Sequence, residues 1–230
     1  LPKIAAGELH FAIGYTEPGA GIDLAALKTS AVRDGDDYVI NGQKAAWVSN
    51  GTIAETAALY TAIDDGDGVT GRGVVLVELD SPGVTRGRPL EKLGQRPLPQ
   101  GEVFFEDVRV PGRNLVIPPA MYAIGLELTL CTANGFMGST FVGLARAALE
   151  HAVQYAKERI QGGFPIIRHQ AVKLRLFEMF RKVEAARSLN RRAVAYNLVN
   201  NPFAGAPAGA FPAVQYAIAS KVTSTQTAFE

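Results

Sequence analysis

From Ala120 to Ile160 the chain contains no proline, whereas the stretch before Gly112 is broken repeatedly by turn signals. No other feature limits the fold as strongly, because it divides the chain into two kinds of structure. In the first part, short β-prone runs alternate with turns. Tyr38-Val39-Ile40 follows Asp34-Gly35-Asp36-Asp37, and Ala57 to Ala62 precedes the loop Asp64-Asp65-Gly66-Asp67-Gly68. Gly73 to Leu79 leads to Ser81-Pro82-Gly83, and Glu102 to Val110 ends at Pro111-Gly112. Strands at this spacing predict an all-β sandwich or barrel. In the second part Val142, Ala145, Leu149, Ala152 and Ala156 recur at helical period, so one helix on the order of 60 Å fits between Ala120 and Ile160. Gly162-Gly163-Phe164-Pro165 stops it. A second helix is expected over about His169 to Asn200, followed by a connector to Gly209 and a third helix from near Pro212. The fold class is therefore α+β by segregated domains: a β-barrel or sandwich over residues 1–115, then an antiparallel helix bundle over 116–230.

Composition narrows the function classes. Hydrophobic residues make up 47 %, enough for a sizeable core, and a formal net charge of +1 gives no electrostatic reason to expect nucleic acid. A single cysteine, Cys131, excludes an internal disulfide and suits a reducing, cytoplasmic compartment. No uninterrupted apolar run is long enough for a membrane span, and no metal site is expected. The chain begins without Met and ends in helical sequence, which reads as a fragment.

Two stretches do not look like core elements. The first, Tyr15-Thr16-Glu17-Pro18-Gly19-Ala20-Gly21-Ile22-Asp23, bunches a hydroxyl, a carboxylate, a proline and two glycines. The second runs from Asn41-Gly42-Gln43-Lys44 through Ala45-Ala46 to Trp47, the one tryptophan, with Ser49 two positions on. An aromatic plane beside short hydroxyls and open backbone N–H groups can hold a flat, polar, phosphate-bearing cofactor. Gly19 and Gly21 permit close approach to a pyrophosphate. The pattern lacks the third glycine and the βαβ unit of a dinucleotide-binding Rossmann motif.

These stretches resemble the flavin-binding signature of the acyl-CoA dehydrogenase family. The likeness continues through Ser81-Pro82-Gly83-Val84, Gly94-Gln95-Arg96 and Phe105-Glu106-Asp107-Val108-Arg109-Val110-Pro111. In the helical part it continues through Val142-Gly143-Leu144-Ala145, Tyr155-Ala156-Lys157-Glu158-Arg159 and His169-Gln170-Ala171-Val172. The resemblance implies a middle β-domain and most of a C-terminal helical domain. It implies an oxidoreductase with FAD as cofactor that dehydrogenates an acyl-CoA thioester at the α and β carbons. It also implies an electron-transfer flavoprotein as acceptor and a homodimer or homotetramer. Thr16 and the Tyr15 backbone would bond the flavin ring, Gly21 and Ile22 would lie along the cofactor, Trp47 would cover the ring and Ser49 would bond near N5. Arg159 would reach the FAD of a neighbouring subunit, and His169 and Gln170 would approach the cofactor from the start of the next helix.

Several positions depart from the family pattern. Ile22 stands where many members carry a serine, so a cofactor or substrate contact there falls to backbone N–H groups. One residue is inserted before Trp47, and Gly162 replaces a phenylalanine. Cys131 and Asn134 occupy the positions of the family's Asp-x-x-Arg, which makes them candidate substrate contacts in an altered acyl pocket for a cyclic or branched acid. Ala133 offers no proton acceptor where some members place the catalytic glutamate, so the base is expected beyond Glu230. Two alternatives share the fold: a flavin monooxygenase or oxidase, and a non-catalytic partner subunit.

Overall fold

A computed structural model describes residues 2–66, 68–202, 205–207 and 209–230. Leu1, Asp67, Phe203, Ala204 and Ala208, which belong to the expected lead-in, loop and connector, lie outside the described residues, as does the side chain of Ala46. The chain forms two compact units that divide after Ala123.

After a single helical turn, α1 (Pro2–Ala5), the first unit is one curled sheet. Its strands are β1 (Phe11–Gly14), β2 (Ser30–Asp34), β3 (Asp37–Ser49), β4 (Thr56–Asp64), β5 (Val69–Glu78), β6 (Val84–Arg86), β7 (Gln100–Pro111) and β8 (Leu115–Ile117). The order is β6-β7-β3-β2-β4-β5-β8, with β1 on β4. β1 and β2 both run parallel to β4, at Thr56–Leu59 and Ala62–Asp64 respectively, while the other pairings are antiparallel. The expected strands at 38–40, 57–62, 73–79 and 102–110 lie inside β3, β4, β5 and β7, save for Leu79 just after β5.

The apolar alternation explains the curl. Ile40, Leu59, Ile63, Val75, Val77, Val103 and Val108 are fully buried and share one core. Burying each such side chain contributes about 1.5–3 kcal/mol. β4 is buried on both faces over most of its length, as its nearly continuous apolar sequence requires. β3 carries two register shifts against β7, at Ile40/Gly42 and Lys44/Val48. The extra residue read before Trp47 falls inside the second, and a bulge of this kind re-aims the side chains next to it.

The second unit begins with the long helix. A tight turn at Pro119–Met121 leads into α2 (Tyr122–Glu158), as the proline-free stretch predicts. A small hairpin, β9 (Ile160–Gln161) with β10 (Phe164–Pro165), turns the chain at Gly162 and Gly163, both at positive φ. Then come α3 (Gln170–Val199) and α4 (Val214–Phe229). By length and composition, the helix over Pro119–Glu158 would also suffice to cross a membrane. Its small residues instead serve helix packing: Gly135 lies against Val194 of α3, and Gly138 lies where α3 and α4 meet α2.

Asn190 joins the three helices. Its Nδ2 donates to the Gly135 carbonyl at 3.1 Å and to Ser220 Oγ at 2.9 Å, and its Oδ1 accepts from Ser139 Oγ at 2.8 Å. A buried amide so connected fixes the register of helices whose contact faces are otherwise smooth. Asn190→Leu is expected to leave the buried Ser220 hydroxyl without its donor, while the Gly135 carbonyl keeps the Ser139 hydroxyl at 3.1 Å. It should lower the stability of this unit by on the order of 2 kcal/mol, read as a fall in the urea midpoint followed by helical circular dichroism.

Candidate functional site

The segment between β1 and β2 leaves the sheet and is tied back by one carboxylate. Glu17 has a side chain only 5 % exposed, and Lys44 of β3 is wholly buried beneath it. Lys44 Nζ donates to Glu17 Oε1 at 2.7 Å, while the Lys28 and Thr29 amides donate to the same carboxylate at 2.6 and 3.0 Å. Burial alone would raise the Glu17 pKa. The Lys44, Thr29 and Lys28 donors outweigh it and hold the carboxyl below its ordinary value of 4.5. Lys44 has fewer partners, so burial outweighs its bond to Glu17 and brings the ammonium down to about 8.

This anchor sets the rest of the loop. Glu17 and Ala20 exchange backbone hydrogen bonds at 3.0 and 3.1 Å, which closes the turn through Pro18 and Gly19. The Ala45 amide donates to the Thr16 carbonyl at 2.8 Å, which docks the loop on β3 two residues before Trp47. The Tyr15 ring packs edge-on against Tyr60, with centroids 4.9 Å apart, and its carbonyl accepts from the buried Lys44 Nζ at 3.4 Å, so both its side chain and its carbonyl belong to the packing. The Thr16 hydroxyl has no partner among the described residues. A Cβ added at Gly19 or Gly21 would meet nothing within 4 Å, and Ile22 is fully exposed. These three residues are exposed, and the Gly19, Gly21 and Ile22 amides have no acceptor among the described residues.

Trp47 lies within the second register shift of β3, with 61 % of its surface exposed. Its strand neighbours Ala45 and Val48 are buried, so the indole is the large apolar group that this end of β3 leaves open to a ligand. Ser49 accepts a hydrogen bond at 2.9 Å from Gln100 Nε2, across the β3–β7 pair. Sequence reasoning missed Gln100 and its partner Lys92. Neither sits in a motif, and only the pairing of two distant strands brings Gln100 to Ser49.

The remaining candidates lie in the helical unit. Arg159 is exposed at the end of α2, and its carbonyl accepts from the Ile166 amide at 2.8 Å across the hairpin. His169 immediately precedes α3, stacks on Phe164 at 4.8 Å and has Nε2 3.1 Å from the Gln161 carbonyl. Its side chain makes no cap bond to the helix. Gln170, the first residue of α3, is exposed.

Cys131 and Asn134 are separated by their surroundings. Cys131 is buried, with its thiol pKa raised chiefly by burial, and lines a largely apolar cavity of 320 Å³ with Leu128, Phe136, Val194 and Leu198. Asn134 is not among the cavity's lining residues and donates to its own helix at the Leu130 carbonyl, 2.9 Å away. Among the described residues no cluster of three His, Cys, Asp or Glu side chains could hold a metal ion.

An exposed indole, uncommitted hydroxyl groups and open loop amides fit a flat heteroaromatic ligand that carries phosphate. Comparison with known proteins shows the family of the chain. Residues 12–108 match the acyl-CoA dehydrogenase middle domain and residues 135–230 match the acyl-CoA dehydrogenase C-terminal domain. The chain belongs to the acyl-CoA dehydrogenase family. It is 41 % identical over 185 residues to the cyclohex-1-ene-1-carbonyl-CoA dehydrogenase of Syntrophus aciditrophicus, covering 80 % of this chain and 44 % of that one. Butyryl-CoA dehydrogenase from Megasphaera elsdenii superposes with a TM-score of 0.84 at 28 % identity, covering 98 % of this chain and 56 % of that one. A chain solved in work on the electron transferring flavoprotein of Acidaminococcus fermentans superposes equally well, at 0.84 and 34 % identity, with 98 % and 56 % covered. The protein thus spans about half the length of the relatives it matches.

Proposed function

We propose that this protein acts as a FAD-dependent acyl-CoA dehydrogenase, an oxidoreductase that removes hydrogen from the α and β carbons of an acyl-CoA thioester. The observation that carries the reading is the exposed Trp47 face beside Ser49, on a bulged strand next to the open amides of Gly19, Gly21 and Ile22. FAD supplies the hydride acceptor for the β carbon. The chain's own residues bind and orient. Trp47 would cover one face of the isoalloxazine, Ser49 and Thr16 would bond its polar edge, and the loop amides would take the pyrophosphate. Arg159 would reach the FAD of a neighbouring subunit, and His169 and Gln170 would contribute further cofactor contacts.

The acyl group is assigned to the surface that includes Cys131, whose buried, protonated thiol is a small neutral lining group. The name of the Syntrophus relative supports a cyclic acyl group. Ala133 carries no proton acceptor, and the α-proton base is placed outside residues 1–230. An electron-transfer flavoprotein as acceptor, a homotetramer and a cytoplasmic location complete the proposal. To test it, the protein is loaded with FAD and titrated anaerobically with saturated linear and cyclic acyl-CoAs while the flavin absorption near its visible maximum is followed. Bleaching by at least one thioester is expected. Unchanged absorption with every thioester overturns the proposal.

A further inference from the structure

Lys92, Gln100 and Ser49 form a chain of hydrogen bonds whose direction the chemistry decides. Lys92 Nζ lies 3.0 Å from Gln100 Oε1 and 2.6 Å from the Leu98 carbonyl. An ammonium can only donate, so the oxygen of the Gln100 amide must face it. Gln100 Nε2 lies 3.4 Å from the Trp47 carbonyl, which can only accept. Two partners of opposite and fixed character therefore impose the same amide orientation. The second N–H of that amide points at Ser49 Oγ, 2.9 Å away, and occupies a lone pair of the hydroxyl. The Ser49 proton is left to point elsewhere, and no acceptor for it exists among the described residues. Gln100 also holds its own strand edge, since its carbonyl accepts from the Leu90 amide at 2.8 Å. The side chain thus hangs from a fixed backbone.

We propose that Lys92 and Gln100 are positioning residues that set the Ser49 hydroxyl as a hydrogen-bond donor to an acceptor atom on the flavin ring beside Trp47. The inference rests on the FAD reading of the site. It adds the polarity of one contact, and it assigns that polarity to two residues outside the family motifs quoted above.

The polarity can be reversed with almost no change of shape. In Gln100→Glu the carboxylate still accepts from Lys92, and it also accepts the Ser49 proton. Ser49 then turns a lone pair toward the ligand, where two acceptors face each other. FAD titration of the flavin-stripped protein should show roughly tenfold weaker binding and a shifted visible flavin band. The melting temperature of the flavin-free protein should change little, because the ion pair that the new carboxylate makes with Lys92 offsets the lost bond to the Trp47 carbonyl. A purely structural role for Gln100 predicts no such split.

Repeating the change in a Ser49→Ala background separates hydroxyl direction from added charge. The Gln100→Glu effect on FAD affinity should vanish there, whereas an effect that persists at full size comes from charge and overturns the proposal. Equal FAD affinity and equal spectra for wild type and Gln100→Glu overturn it too. A wild-type protein that binds no FAD overturns the cofactor reading, and this inference with it. Binding by the wild type together with an unaffected Gln100→Glu removes only the inference.

Discussion

Lys44→Met is expected to destabilise the protein by about 3–5 kcal/mol, because it strands the Glu17 carboxylate in the interior without its counter-ion. That is a large share of the roughly 5–15 kcal/mol by which a domain is normally stable. The loss has a functional side as well. Glu17 holds Lys28, Thr29 and Lys44 in one carboxylate cluster, and the loop from Tyr15 to Asp23 keeps its shape through it. The paired change Glu17→Gln with Lys44→Met removes both charges, and most of the stability should return. Urea denaturation of the wild type, both single variants and the double variant gives the coupling directly. A Lys44→Met protein as stable as the wild type would show that the pair contributes nothing.

The pH dependence follows from the same cluster. The folded-state pKa of Glu17 lies below its ordinary 4.5, so its contribution is fully present above that value and is lost as pH falls through the folded pKa. The melting-temperature gap between wild type and Glu17→Gln should therefore be widest near neutrality and close in acid. Lys44 acts in the alkaline range. Between about 8 and the ordinary 10.5 the unfolded chain holds a proton that the folded chain has released, so this group favours the folded state increasingly as pH rises.

Trp47→Ala is expected to leave the fold nearly intact and to weaken FAD binding roughly 10- to 100-fold. An indole with 61 % of its surface in water has little packing to lose, so the change in unfolding free energy should stay within about 0.5 kcal/mol. Stacking of an aromatic side chain on a heteroaromatic ring is worth about 1–3 kcal/mol, and that converts to the stated range of affinity. Trp47→Phe should recover most of it. Flavin content after purification, measured beside the thermal melt, separates the two effects. A variant that retains its flavin and loses stability instead would place Trp47 in the core.

The division of the chain into a β part and a helical part was legible in its residues, and so were the helix limits. A proline-free run ahead of two glycines admits few other readings, although α2 already closes at Glu158 and the glycines turn the β9–β10 hairpin, which was not legible. The long strands were legible through β-branched runs between turns. The short strands β1, β2, β6 and β8 were not, since three to five residues carry little periodicity. β1 and β2 moreover gain their place from parallel pairing with a distant neighbour.

In the site, the motif residues could be read, but their supports could not. A lysine in a strand ordinarily signals a solvent-facing position, yet Lys44 is buried because Glu17 reaches it from 27 residues away. Gln100 reaches Ser49 from 51 residues away, through a strand pairing that no local pattern announces. Cys131 and Asn134 were read together from one helix segment. Their different surroundings follow from the packing of α3 against α2, which adjacency in sequence does not express.

The parallel pairing of β1 and β2 with the same strand means that they behave as a single interrupted strand along one edge of β4. Residues 15–29 are the detour. Both feet of that detour stand on one rigid rail, so the distance between them is fixed by the covalent length of β4 and not by anything bound to the loop. The entropy of closing the loop is met when the sheet folds. A cofactor arriving later has only the side chains and the glycine amides at the crest left to order, so more of its contact energy remains as affinity.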